Sequence, residues 1–470
     1  MPHRLALLLT SLSLLGVSGQ AEVGAPWAMF GGSPSHGGYG ASSSLIPSAG
    51  GVAILWTFQT YGAVQSSPAI AADGSLFIGS DDKHIYSLRS DDGTLLWAAK
   101  GGGEFDSSPA IGLGGVLFVG SMYPDNRVRA YNMNATGYSG GGGGGGSLVW
   151  DFLAGSSVKS SPVLGNNSVY IGSDDGYVYA LDAKTGGLLW AFKTNGFVQA
   201  APALSPDGLT LYAASMEGNN AGTLFALDAT TGVELWRYPA AGPIEAAPSI
   251  TPDGVFVVFG DAAGKKSSLF CVFATNGTTV WRTPSRASIT TPAAFAFINT
   301  PSPVVIVAAD YPVNALFAYS LTWGAQVWNT SIGSVAFSAP AVDEAGFVVV
   351  GSMDANVYAL NALNGAILWK IATGGLIVSS PALAFGRVFI GCDDGTVIAI
   401  GMPASTPPWW KMSMAMTIAM AFAGVALLGA VFLWLRPKKR AKNAKMTGTG
   451  GGEGDALYYA LAGNYLGLIN

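Results

Sequence analysis

Apolar and polar positions alternate in short runs along this chain, and the runs return as one repeating unit. The clearest copy opens with Ser160-Ser161-Pro162. It continues through Val169-Tyr-Ile-Gly-Ser-Asp-Asp-Gly-Tyr-Val-Tyr-Ala-Leu-Asp182 and closes on Thr185-Gly186-Gly-Leu-Leu-Trp190. Two alternating runs around an acidic turn, then a Gly-led turn and a Trp-bearing strand, describe a meander of β-strands. The small-small-Pro signal ends at Pro68, Pro109, Pro162, Pro202, Pro248, Pro292, Pro340 and Pro381. The Trp signal falls at Trp56, Trp97, Trp150, Trp190, Trp236, Trp281, Trp328 and Trp369. A period of 40–53 residues built wholly from strand and turn signals predicts an all-β, eight-bladed β-propeller over residues 51–401.

The two series are offset. The first Trp has no Pro unit before it, and the last Pro unit, Ser379–Gly401, has no Trp after it. Strand Val52–Phe58 is therefore expected to supply the missing outer strand of the last blade, closing the ring end to end and removing open edges. Trp97, Trp150, Trp190, Trp236, Trp281, Trp328 and Trp369 each follow a Gly by four residues. Such a Gly tolerates positive φ in a hairpin turn, and the Trp then has room to dock on the next blade. The glycine run Gly140–Gly146 reads as a surface excursion of the second blade. It is not a phosphate loop, since neither Lys-Ser/Thr nor a helix start follows it.

Half the residues are apolar and 11% are charged, which suits strands covered on both faces. The flanks depart from the repeat. Residues 1–21 carry Arg4, an apolar run and small residues near Gly19–Ala21, a signal-peptide pattern. Residues 22–50 form a leader and 402–411 a juxtamembrane linker. Met412–Leu435 holds no charge, is bounded by Trp410 and Trp434, and reads as a transmembrane helix. The 436–470 tail has six basic residues against Glu453 and Asp455, a net of +4 that leaves the rest of the chain at −9. This balance places the tail in the cytoplasm and argues against nucleic acid as a partner of the acidic propeller. With sequons at Asn134, Asn166, Asn276 and Asn329, the expectation is a glycosylated single-pass protein of the eukaryotic secretory, endomembrane or plasma membrane, N-terminus lumenal or extracellular. Tyr458-Tyr-Ala-Leu461 and Tyr465-Leu-Gly-Leu468 are tetrads of the kind sorting adaptors bind.

The pattern Ala180-x-Asp182-x-x-Thr185-Gly186-x-x-x-Trp190 resembles the tryptophan-docking motif of the PQQ-like propeller superfamily. Ala226–Trp236 matches as fully, and Ala359–Trp369 carries Asn361 and Asn364 in place of Asp and Thr. The leader Trp27-Ala-Met-Phe-Gly-Gly-Ser-Pro-Ser-His-Gly-Gly-Tyr39 is also similar to the segment before the first blade in many members. The resemblance implies the fold, and for function it spans quinoprotein alcohol dehydrogenases, an outer-membrane assembly lipoprotein and lumenal sensor domains. The dehydrogenases hold PQQ near adjacent cysteines, with Ca²⁺ on acidic and amide side chains. Here Cys271 and Cys392 lie three blades apart and read as buried small residues, and the histidines are His3, His36 and His84.

Three residues before each Pro the chain reads Gln65, Asp106, Lys159, Gln199, Glu245, Ile289, Phe337 and Val378. If these ring a central funnel, blades one to five present polar groups and six to eight an apolar arc, suited to a peptide or small amphipathic ligand. As ordinary loop positions they would do neither. The acidic turns, among them Asp81, Asp82, Asp174, Asp175, Asp393 and Asp394, offer a rim for a basic partner or Ca²⁺. Their plainer role is tight-turn chemistry, Asp capping backbone N–H groups. The sequence thus favours a non-catalytic binding or scaffold propeller without cofactor, with a protein or peptide at its face. A PQQ- and Ca²⁺-dependent oxidoreductase is the alternative.

Overall fold

The computed structural model describes residues 25–40, 51–133, 146–165, 167–218, 221–297, 303–334 and 337–403. Segments 1–21 and 412–435, the sequons at Asn134 and Asn166, and Tyr458, Leu461, Tyr465 and Leu468 lie outside the described residues. Eight sheets form, each built on four antiparallel strands, and the seventh gains a fifth, parallel strand. The third is typical, with strands Val163–Gly165, Ser168–Gly172, Tyr177–Asp182 and Leu188–Lys193 running from axis to rim. Ser168–Gly172 is buried throughout, whereas Leu188–Lys193 alternates between exposed and half-buried positions. The even hydrophobicity of the second strands thus follows from a neighbour on each face.

Ring closure occurs where the repeat offset placed it. Ala53–Gln59 pairs antiparallel with Thr396–Gly401, setting Trp56 opposite Ala399, one residue later than the expected Val52–Phe58. In all eight blades the register between third and outer strands shifts beside the Trp. Such a bulge raises the local twist and re-aims the side chain.

The repeated residues tie each blade to the next. Trp190 Nε1 donates to the Ala229 carbonyl at 3.1 Å, and Trp150 Nε1 to Ala183 at 2.9 Å. Each indole lies on the turn glycine of the following blade, so a Cβ at Gly232 would sit 2.6 Å from the Trp190 ring. Gly232 is at φ 70°, so turn geometry and indole contact demand the same residue. Trp56 docks likewise, its Nε1 donating to Ser90 at 3.0 Å. Trp369 is half-buried against the core shared by blades one, seven and eight, where the junction of the chain ends replaces the third-to-outer turn.

The small-small-Pro unit acts near the axis. Its first Ser holds its own blade: Ser66, Ser107 and Ser160 Oγ accept from the N–H groups of Gly79, Gly120 and Gly172 at 3.0–3.1 Å. Its second Ser links blades. Ser67 N–H donates to Ser108 Oγ at 2.9 Å, Ser108 N–H to Ser161 Oγ at 3.0 Å and Ser380 N–H to Ser67 Oγ at 2.9 Å. The last of these crosses the ring junction.

Deeper along the axis the leader coils around the inside of the ring in blade order. Carbonyls of Trp27, Ala28, Pro34, Ser35, Gly37 and Gly38 accept from the N–H groups of Ile70, Ile111, Leu204, Ile250, Phe295 and Val342 at 2.7–3.0 Å. Tyr39–Gly40 then pairs parallel with Ala341–Asp343. Inner-strand edges that would otherwise be unpaired are satisfied by the chain's own start. Trp27, Met29 and His36 are buried within this coil.

Two outcomes are expected. Trp190→Ala should cost roughly 3–5 kcal/mol, read as a lowered denaturation midpoint. An unchanged midpoint would contradict the docking role. Burial pushes the His36 imidazole down to about 4. The unfolded chain takes up a proton near 6.5 and the folded chain does not, so stability is lost as pH falls from about 6.5 towards 4, on the order of 3 kcal/mol. Replacing His36 with Phe should flatten that slope in equilibrium unfolding measured across the window.

Candidate functional site

One cavity of about 180 Å³ draws its walls from every blade. The loop entering each inner strand delivers one side chain: Gln65, Asp106, Lys159, Gln199, Glu245, Thr290, Phe337 and Val378. The loops do so because the residue before each turns outward to pack on a strand glycine of the preceding blade. Val198, for example, would lie 2.3 Å from a Cβ at Gly172. Six residues singled out from the sequence, Gln65, Asp106, Lys159, Gln199, Glu245 and Phe337, therefore meet at one depression.

Ile289 does not join them. It is fully buried against Gly260, in the place that Val198 holds in its blade. In the sixth blade Pro292 stands one residue earlier relative to the inner strand, since Phe295 occupies the leader-bonded position of Ile70. Counting back from Pro thus missed the facing residue of this blade by one position, and Thr290 is the residue that faces the cavity. The apolar arc shrinks to Phe337 and Val378. Phe337 is 49% exposed and sits at φ 72°, a strained backbone for a bulky residue.

Phe30 completes the lining from below. Nothing in the repeat pattern marks it, because it belongs to the leader. The acidic turns divide by position. Asp82 and Asp175 are turn residues: Asp82 accepts from His84 N–H at 2.9 Å and Tyr86 Oη at 2.6 Å, and Asp175 from Tyr177 N–H at 2.9 Å and Tyr179 Oη at 2.7 Å. The preceding Asp of each pair interacts with the cavity residues instead. Gln199 Nε2 donates to Asp174 Oδ1 at 2.8 Å. Burial first, then the charges of Asp106 and Glu104, push the Asp81 carboxyl up to about 7. Burial also raises Asp106, against the pull of Lys159, and raises Glu245, to which the charge of Asp310 adds. A dipeptide Asp-Asp in the turn, before Gly176 in one blade and Lys83 in another, was the available signal: the turn uses the second carboxylate, leaving the first unexplained.

A larger depression, about 520 Å³, lies between blades two and three. Its walls are mainly apolar flanks of two blades, such as Leu113, Val149 and Leu164, whereas the central cavity gathers charged groups from several. Among the described residues no three His, Cys, Asp or Glu side chains are placed to hold a metal ion. Cys271 and Cys392 are both buried, which pushes each thiol up to about 12.

Eight closed blades with tryptophan docking define a PQQ-like β-propeller. The chain belongs to the family described as outer membrane protein assembly factor BamB (PQQ_2), which matches residues 48–138, 143–316 and 313–404. It is 32% identical over 115 residues to the outer membrane protein assembly factor BamB of Burkholderia pseudomallei, covering 23% of this chain and 30% of that protein. To the BamB of Yersinia pestis it is 35% identical over 102 residues, covering 21% and 25%. The matched stretches thus span under a third of these curated relatives. Among solved structures, BamB from Moraxella catarrhalis superposes with a TM-score of 0.60 at 18% identity, covering 74% of this chain and 99% of that one. A europium-containing methanol dehydrogenase gives 0.65 at 13%, covering 80% and 98%. At such identities both show the fold alone.

These relatives correct the expected location. They are bacterial outer membrane assembly factors, which overturns the assignment to a eukaryotic single-pass membrane protein. Among the described residues no helix is long and apolar enough to cross a membrane. One of the sequons on which the eukaryotic expectation leaned has a turn role of its own. Asn276 Oδ1 accepts from Thr278 N–H at 2.9 Å around Gly277, the glycine that receives Trp236, so Asn-Gly-Thr is turn chemistry there. Asn329 is an exposed outer-strand residue.

Charge in the cavity predicts a pH signature. Asp81 binds a proton at about 7 when folded and near 3.8 when unfolded, so its contribution to stability is full below about 3.8, is lost as pH rises from there to about 7, and is flat above. Asp81→Asn should therefore raise the thermal midpoint most at pH 8, by less at pH 5, and leave it nearly unchanged at pH 3. An equal shift at pH 8 and pH 3 would contradict the assignment.

Proposed function

We propose that this chain is a non-catalytic scaffold that binds a protein segment at the central cavity, as part of membrane-protein assembly. The observation that carries this reading is a cavity assembled from every blade, polar with Asp106, Lys159, Gln199 and Glu245 on one side and apolar with Phe337 and Val378 on the other. Membership of the BamB family supports it. A concave site with few polar groups on an apolar wall orients a ligand without needing chemistry from it.

The oxidoreductase reading draws on the fold shared with the methanol dehydrogenase. The residues present do not fit its cofactor. A planar quinone bearing three carboxylates would meet Asp106 and Glu245, with Lys159 as the one cation that the described residues bring to the lining. Full-length protein titrated with PQQ and Ca²⁺ should show no change in quinone absorption. A saturable spectral shift would revive the enzyme reading.

The scaffold reading is tested by a photo-cross-linking residue in place of Gln199 in the full chain, expressed in a bacterial host. A discrete protein adduct is expected there and not from the exposed outer-strand position Leu235. Equal adducts at both positions, or none at Gln199, would contradict it.

A further inference from the structure

The central cavity has a floor, and the floor is not made by the blades. Leader carbonyls bond the inner strands of six blades, occupying the axis where an open ring would leave a channel. From this coil Phe30 reaches up into the cavity lining. It is braced edge-on by His36, ring centroids 5.6 Å apart at 70°. His36 is 1% exposed, so the brace lies wholly inside the protein. Behind it Gly31, at φ 67°, lies so close to His36 that a Cβ would come within 2.9 Å of the His36 Cα. Gly38 is held as tightly against Ala294 and the Pro340 carbonyl. The coil is therefore packed as firmly as a blade.

We infer that the cavity is a blind cup whose depth is set by Phe30, and that it takes the apex of a partner's loop: one aromatic or large aliphatic side chain flanked by a basic one. This rests on the scaffold reading above and specifies its ligand. A threaded strand is ruled out by the floor, and a volume of about 180 Å³ suits one large side chain. Phe30, Phe337 and Val378 supply its apolar wall. Asp106 and Glu245, with Asp81 beside Asp106, outnumber Lys159 and supply charge complementarity for a cation at the mouth. Phe30 is on this account the residue that determines specificity.

Calorimetric titration of the full chain with N-acetyl-Lys-Phe-amide and N-acetyl-Glu-Phe-amide tests the inference. The basic dipeptide should bind at least tenfold more tightly than the acidic one. Phe30→Trp, which fills the cup, should abolish binding, and Asp106→Asn should weaken the basic dipeptide alone. Asp106→Asn keeps the test open if Phe30→Trp fails to fold. Equal binding of the two dipeptides, or full binding by folded Phe30→Trp, would overturn the inference. If neither dipeptide binds while Gln199 still cross-links a protein, the cup is wrong and the scaffold reading stands. If the basic dipeptide binds as described and no protein cross-links, the scaffold reading falls and the cup remains.

Discussion

The contact on which the rest of the structure depends is an indole of one blade laid on the turn glycine of the next. A four-stranded sheet of this length is hydrophobic on both faces and has no stability alone. Each blade needs a neighbour on both sides, and the Trp–Gly contact with its Nε1 bond fixes how neighbours meet, as at Trp190 and Gly232. Hydrogen bonds of this kind contribute about 1 kcal/mol each, so their weight lies in repetition and geometry more than in any single bond. Near the axis the serine relay repeats the same logic, and Ser380 to Ser67 carries it across the junction. A ring so constrained brings one loop residue per blade to a common centre.

That convergence creates the site. The loops that enter the inner strands must turn one apolar residue onto a glycine of the preceding blade, and the next residue then faces the axis. Variation at the axial position costs the fold little, which leaves it available for recognition. Here it is acidic and amide-bearing on one arc and apolar on the other. The leader converts this arrangement from a channel into a cup. Burying carboxylates without enough cations raises their proton affinity, as at Asp81, and leaves a standing preference for positive charge.

Much of this was legible in the chain. The eightfold recurrence, the offset of Pro and Trp, and the Gly before every Trp after the first carried the blade count and the closure, because each reflects a steric demand local to a few residues. The sixth blade was misread since Thr290-Thr291-Pro292 imitates the small-small-Pro unit one residue out of place, and only backbone pairing at Phe295 reveals the shift. Phe30 and His36 were opaque because their roles depend on contacts with blades distant in sequence. The eukaryotic assignment, overturned by the bacterial relatives, leaned on sequons, and a tripeptide such as Asn276-Gly277-Thr278 serves a turn and a sequon equally well, so sequence cannot separate them.

The most direct test of a sealed, closed ring is native-state hydrogen exchange of the full chain, read at the inner-strand amides of Ile70, Ile111, Leu204, Ile250, Phe295 and Val342. Bonded to the leader, these should exchange as slowly as the core amides of the second strands, such as Tyr170 and Ile171. Exchange at the rate of an unpaired edge would mean that the leader does not occupy the axis, and the cup would have no floor.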